Sequence, residues 1–146
     1  MKRQTTSARQ TKKLGEEMAK DILALPETNN AIVLALKGEL GSGKTTFVQG
    51  LAKGLGVQGR VLSPTFLVVK EFELPHTNKT MLYHIDCYRL ESSQELLDLG
   101  FKSIVANPKN IVVIEWADRV KKILSKDTKW IHFFVTGENS RELDVI

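Results

Sequence analysis

Cysteine is nearly missing from this chain. Cys87 stands alone among 146 residues, so no internal disulfide can form, and the pattern suits a reducing compartment. No apolar run approaches the roughly 20 residues that a membrane-spanning helix needs. The opening stretch, MKRQTTSARQTKK, has no apolar centre and does not read as a secretory signal. These absences give the expectation of a cytoplasmic protein with no membrane contact. Repeats and low-complexity tracts are also lacking, and 146 residues suffice for one domain with a single core, residues 1–146, whose first eight residues are expected to be disordered. Arginine occurs six times, scattered, and no insertion is long enough for the arginine-bearing lid of a small-molecule kinase. Neither charge dominates: 21 basic and 17 acidic residues leave a net charge of +4. That balance reads first as a mixed solvated surface and only second as a nucleic-acid-facing patch, with Lys2, Arg3, Arg9, Lys12 and Lys13 among the densest basic groups.

What is present begins with GELGSGKTTF, residues 38–47. Gly38, Gly43, Lys44 and Thr45 fit the spacing of a phosphate-binding loop. In such a loop, glycines let consecutive backbone N–H groups curl round an anion, and the following helix adds its N-terminal partial charge. Gly38, Glu39, Leu40, Gly41, Ser42, Gly43, Lys44, Thr45 and Thr46 are therefore the candidate nucleotide contacts. Lys44 reaches the β and γ phosphates, and the Thr45 hydroxyl binds Mg²⁺. The flanks meet the motif's requirements. AIVLALK (31–37) reads as a buried central strand, and Phe47, Val48, Leu51, Ala52 and Leu55 mark one helical stripe ending at Gly56, a C-cap position. Gly50 and Gly54 cost that helix roughly 1 kcal/mol each against alanine; close packing on the sheet is the expected return.

Elsewhere the pattern predicts a helix over 9–25, with Leu14, Met18, Ile22 and Leu25 on one face and Pro26 as its stop. TFLVVKEFEL (65–74) and MLYHID (81–86) read as a hairpin, SSQELLDLGF as a short serine-capped helix, and IVVIEW (111–116) as a buried strand. ADRVKKILS reads as an amphipathic helix and KWIHFFV as a last strand. The expectation is an α/β fold: a P-loop NTPase-like three-layer domain, its central mixed parallel and antiparallel sheet flanked by helices.

Mg²⁺ needs further oxygen ligands, usually a carboxylate at the tip of a neighbouring strand. Asp86 ends LYHID and Glu115 ends IVVIE, where an α/β sheet binds ligands. Both are candidate metal ligands with Thr45, and both are candidate catalytic groups with Lys44; the pattern does not assign which carboxylate holds the metal and which orients water. Thr65, in SPTF, occupies the place where nucleotide switches sense the γ-phosphate and reads equally as a plain turn residue. His84 shares a face with Asp86 while Cys87 faces away, a poor metal site, so His84 reads as structural. Trp116 reads as core but adjoins Glu115. The nearest run to a guanine-recognition box, NKTM (78–81), lacks its aspartate, which favours ATP over GTP. With no lid and no acceptor pocket in view, a macromolecular partner is more economical than a second small substrate.

Together, GELGSGKTTFVQGLAKGLG, SPTFLVVKEF, YHIDCYRL, ELLDLGF and VVIEWADR resemble the TsaE (YjeE) family of small bacterial ATPases in tRNA threonylcarbamoyladenosine formation. The likeness runs from about Thr11 nearly to the end, with these segments in the family's order. It implies an ATP- and Mg²⁺-binding subunit, slow to hydrolyse alone, that acts with TsaB and TsaD to modify tRNAs reading codons that begin with A. It also implies contact with tRNA directly or through that complex, and a monomer or weak oligomer when alone. The resemblance carries Thr65 to the switch-like segment, Asp86 to the Walker-B-like strand and Glu115 with Trp116 to the element beside the active site. Thr11 and Arg141 correspond to positions near the nucleotide. Ala117 stands where some relatives have proline, and the tail ends soon after Arg141. The rival readings are an ATP-controlled binding module with incidental hydrolysis and a small-molecule kinase.

Overall fold

A computed structural model describes residues 1–59, 61 and 68–146. In chain order the elements are β1 (Lys2–Thr5), α1 (Ala8–Ala24), β2 (Ile32–Gly38), α2 (Lys44–Gly54), β3 (Val69–Glu73) and β4 (Met81–Asp86). There follow α3 (Ser93–Asp98), α4 (Phe101–Ala106), β5 (Asn110–Glu115), a 3₁₀ helix (Ala117–Ile123), β6 (Lys129–Val135) and β7 (Arg141–Val145). Among the described residues seven strands form one sheet in the order β1-β7-β6-β2-β5-β4-β3. Its centre, β6-β2-β5-β4, is parallel, and the outer pairings, β4 with β3 and β6 with β7 and β1, are antiparallel. This is the expected mixed α/β sheet with helices on both faces.

The apolar run of β2 explains the layering. Leu34 and Leu36 point to the face covered by α1 and α2, where they meet Phe47, Val48 and Leu51. Val33 and Ala35 point the other way, towards Leu96 of α3, Phe101 of α4 and Val120 of the 3₁₀ helix. A strand buried on both faces needs apolar residues at every position, which is why it reads as a continuous run.

The N-terminus departs from the expectation of disorder. Lys2–Thr5 pair with Asp144–Arg141 of β7, and the Met1 amine donates to Val145 O at 2.7 Å. Local sequence offers no such signal: KRQT is polar and short, and only the β7 edge turns it into a strand. KWIHFFV is likewise not the last strand, because β7 follows it and returns antiparallel. The SSQELLDLGF helix stops at Asp98, and a second short helix, α4, starts after Gly100, whose φ of +90° breaks the first. ADRVKKILS winds as a 3₁₀ helix with a kink at Val120 rather than as an α-helix. Of the expected strand 65–74, Val69–Glu73 is formed, while Thr65 and its neighbours through Leu67 lie outside the described residues.

Helix α1 starts where Ser7 Oγ accepts from Gln10 N at 3.1 Å and Gln10 Oε1 accepts from Thr6 N at 2.7 Å, a reciprocal cap of side chains and backbone. Its fully buried stripe is Thr11, Gly15, Ala19 and Ile22; Leu14 and Met18 are only partly covered, and Leu25 is exposed. The shift of phase has one cause, the intimacy of α1 with α2. A Cβ at Gly50 would lie 1.8 Å from Lys12 O, one at Gly54 2.7 Å from Ala19 Cβ, and one at Gly15 2.3 Å from Phe47 O. The glycines of α2 thus serve close packing against α1, not against the sheet.

Candidate active site

Gly38 closes β2 where a side chain has no room: a Cβ there would lie 2.7 Å from Ser42 Oγ and 2.8 Å from Phe133 Cβ. Gly41 and Gly43 then take φ of +77° and +99°, left-handed backbone that costs other residues strain. The chain so bent delivers α2 with no side-chain cap and no acidic residue in its first turn. No side chain competes for the helix's leading amides, and the dipole there is unopposed, which suits an anion.

Lys44, the first residue of that helix, curls back over the loop. Its Nζ donates to Gly38 O at 2.5 Å and Glu39 O at 2.9 Å, and lies 3.4 Å from Ser42 Oγ. The indole of Trp116 covers it, 4.1 Å from amine to ring centroid. Burial pushes the Lys44 pKa below the ordinary 10.5, opposed by the charges of Glu115, Asp118 and Asp86. Trp116 reaches this position through a left-handed backbone, φ +57° and ψ +39°, unique to it among the described non-glycine residues. Such a conformation costs about 1–3 kcal/mol and is held here by surrounding contacts. Tyr88 stacks at 5.0 Å from the indole, and the Arg119 guanidinium lies 5.8 Å from it.

The parallel register brings the two carboxylates together. Asp86 and Glu115 are direct partners across β4 and β5, and β5 adjoins the strand that carries the loop. Glu115 is buried, 3% exposed. Its Oε1 accepts from Thr45 Oγ1 at 2.9 Å, and its Oε2 lies 2.6 Å from His84 Nε2. Asp86 Oδ1 accepts from Tyr88 N at 2.9 Å. Cys87 turns to the opposite face, where burial first, and the nearby Asp86 second, push its thiol up to about 12. It therefore stays protonated at neutral pH and offers no thiolate.

These groups line one cleft of about 570 Å³, within the usual range of small-ligand sites. Residues 40–46 form its floor, and Asp86, Glu115 and Trp116 one wall. Thr11 and Arg141 stand on the other side; a Cβ at Gly43 would lie 3.5 Å from Thr11 Cγ2 and 3.9 Å from Arg141 Cγ. Thr11 Oγ1 shares a hydrogen bond with Thr5 Oγ1 at 2.8 Å, and Arg141 donates from Nε and Nη2 to Gly41 O at 3.2 and 3.0 Å. Gly38 and Glu39 contribute carbonyl oxygens to Lys44.

Residues 5–143 match the family described as threonylcarbamoyl adenosine biosynthesis protein TsaE. The chain belongs to the TsaE family. Among its relatives, the tRNA threonylcarbamoyladenosine biosynthesis protein TsaE of Treponema pallidum is 39% identical over 113 residues, covering 77% of this chain and 80% of the relative. The protein of the same name from Haemophilus influenzae is 38% identical over 112 residues, 77% of this chain and 68% of its own. That of Rickettsia felis is 33% identical over 138 residues, 94% and 74% respectively. A crystal structure of Bacillus subtilis YdiB superposes with a TM-score of 0.71 at 29% identity, covering 98% of this chain and 82% of that one.

Within this TsaE-family chain the cleft gathers the sequence-predicted site residues except three: Gly38 and Glu39 do not line it and only accept from Lys44 through their carbonyls, and Thr65 lies outside the described residues. Beyond these, Ala8, Val68, Tyr88, Arg89 and Asn139 line the cleft, and His84, read as structural, makes a 2.6 Å contact with Glu115. Alternation on β4 had put His84 on the face of Asp86, but its partner belongs to the neighbouring strand. The NKTM run sits on the β3–β4 turn, where Lys79 Nζ donates to Pro108 O at 2.9 Å.

Proposed function

We propose that this chain is an ATP-binding and ATP-hydrolysing subunit that acts with TsaB and TsaD in forming threonylcarbamoyladenosine on tRNAs that read codons beginning with A. The observation that carries the reading is the hydrogen bond from Thr45 to Glu115 at the uncapped start of α2. It puts a hydroxyl and a carboxylate, both hard oxygen donors, beside amides suited to phosphate. The donor chemistry fits Mg²⁺, which prefers one or two carboxylates plus phosphate oxygens to an all-protein cage. Thr45, Glu115 and Asp86 would hold the ion, and when bound it would neutralise charge on the phosphates.

This chain's own residues do the rest. Lys44 and the α2 amides would hold the phosphate oxygens. Asp86 and Glu115, register partners at adjacent strand tips, would lie near the γ-phosphate, where a carboxylate can orient water. Trp116 covers Lys44, and Thr11 and Arg141, beside Gly43, would contact the nucleotide. A cytoplasmic site of action and a direct or complex-mediated tRNA contact go with this reading, and no described helix is long and apolar enough to cross a membrane.

The test is reconstitution of tRNA modification with TsaB and TsaD, following ATP consumed per modified nucleoside. Hydrolysis is expected to rise when the partners are added and to fall in Lys44→Ala and Glu115→Ala. Unchanged turnover in both variants would refute the site. Phosphate transfer to a metabolite without partners would make the chain a kinase; a Glu115 variant that modifies tRNA through many cycles without hydrolysis would make it an ATP-controlled binding module.

A further inference from the structure

His84 is wholly buried on β4, two residues before Asp86. Because Glu115 as a carboxylate only accepts, the 2.6 Å contact to its Oε2 assigns the hydrogen to His84 Nε2. The second ring nitrogen, Nδ1, is buried and has no hydrogen-bond partner among the described residues. Leaving a polar atom unsatisfied carries a desolvation cost that an apolar ring of the same shape would avoid. Packing alone therefore does not account for an imidazole here, and its one satisfied polar atom is spent on Glu115.

The geometry at Glu115 is specific. Oε2 takes the bond from His84 and Oε1 the bond from Thr45. One donor on each oxygen fixes the rotation of the carboxylate plane, and the donors come from two elements, β4 and α2. Register makes this possible: Asp86 pairs with Glu115 and His84 with Val113, so His84 lies diagonal to Glu115 on the same face. Strand cohesion does not need the contact, since β4 and β5 are already paired at six positions from Met81 to Asp86.

We infer that His84 is a positioning residue for Glu115, holding its carboxylate in the orientation that Mg·ATP hydrolysis requires. The inference rests on the proposed ATPase reading. A group that orients a ligand through its outer oxygen typically changes activity or metal affinity by about 10- to 100-fold when removed. Among the described residues, the hydrogen bonds of Lys44 go to Gly38, Glu39 and Ser42 and that of His84 to Glu115, so the two groups are not joined by a hydrogen bond.

Two variants separate positioning from packing. His84→Phe keeps the ring's bulk and loses the donor; His84→Gln returns an N–H at similar reach. In the presence of TsaB and TsaD, His84→Phe is expected to lower kcat for ATP about 10- to 100-fold. Its calorimetric affinity for ADP without magnesium should stay within about twofold of wild type, because His84 acts through Glu115 and the metal, and its one polar contact among the described residues is with Glu115. His84→Gln should recover most of the rate. If His84→Phe does not fold, His84→Gln against His84→Asn makes the same comparison, since only the longer amide reaches Glu115. Wild-type turnover in the donor-less variant overturns the inference. So does equal loss in both variants, or a fall in metal-free ADP affinity that matches the fall in rate. Failure of the ATPase reading looks different: the wild-type chain itself then takes up no adenine nucleotide, or binds it with no hydrolysis that TsaB and TsaD raise, and His84 is left with a packing role.

Discussion

Lys44 spends its amine hydrogens on its own loop, and that arrangement has a measurable consequence. Burial holds its pKa below the ordinary value in the free protein, against the pull of Glu115, Asp118 and Asp86. Phosphate oxygens placed against the amine favour the charged form, so nucleotide binding raises that pKa. The bound state then holds more protons than the free state between the two pKa values. Affinity is level below the free-state pKa and falls as pH rises from it to the bound-state value. Calorimetry at alkaline pH in two buffers of different ionisation enthalpy should reveal proton uptake on ADP binding. Lys44→Met should abolish the uptake. A wild-type chain with no buffer-dependent heat would show that the lysine is not the phosphate ligand. The place of Lys44 on its loop was legible from the glycine–lysine–threonine spacing, because that loop is built within one short stretch. The contact of His84 with Glu115 was not, because its partner lies 31 positions away.

Helices α1 and α2 meet at glycines, and Gly50 decides how closely. Alanine there would improve helix propensity by about 1 kcal/mol. Its Cβ, however, would lie 1.8 Å from Lys12 O and 2.7 Å from Lys12 C, backbone atoms that move only with the whole of α1. Overpacking of this kind costs about 3 kcal/mol, so the clash wins. Gly50→Ala should lower the unfolding free energy by about 2 kcal/mol in urea, and should weaken nucleotide binding too, since α1 carries Thr11. A variant as stable as wild type would mean the helices are not in such close contact. Periodicity located both helices but misassigned the partner of these glycines. A helix pattern shows which face is apolar and where glycine interrupts it, yet not which element lies opposite. The 3₁₀ winding after Trp116 escaped for a related reason: its apolar spacing matches an α-helix, and the tighter turn follows a left-handed residue that no propensity favours.

Across the whole molecule, one side of the cleft is braced by β1 and β7. Thr5 of β1 pairs with Arg141 of β7, Thr5 bonds Thr11, and Arg141 bonds the loop carbonyl of Gly41. The four parallel strands that carry the loop and the carboxylates lie inside and do not need β1 for their own pairing. A chain beginning at Thr6 should therefore fold with a lowered thermal midpoint and bind ADP about tenfold more weakly, a loss of ~1.4 kcal/mol. Fluorescent-nucleotide titration measures it, and unchanged affinity would show that β1 has no part in the site.

The phosphate loop, the buried strands β2 and β5 and the amphipathic α2 follow from sequence alone, because each depends on residues a few positions apart and on burial that leaves an apolar record. So does the placing of Asp86 and Glu115 at strand tips. Only the tertiary structure decided that β1 and β7 form, that Thr45 and His84 divide the two oxygens of Glu115, and that Thr11 and Arg141 reach the same glycine loop. Those outcomes depend on strand order and register between distant segments, and polar edge residues leave no periodic trace of the partner they will meet.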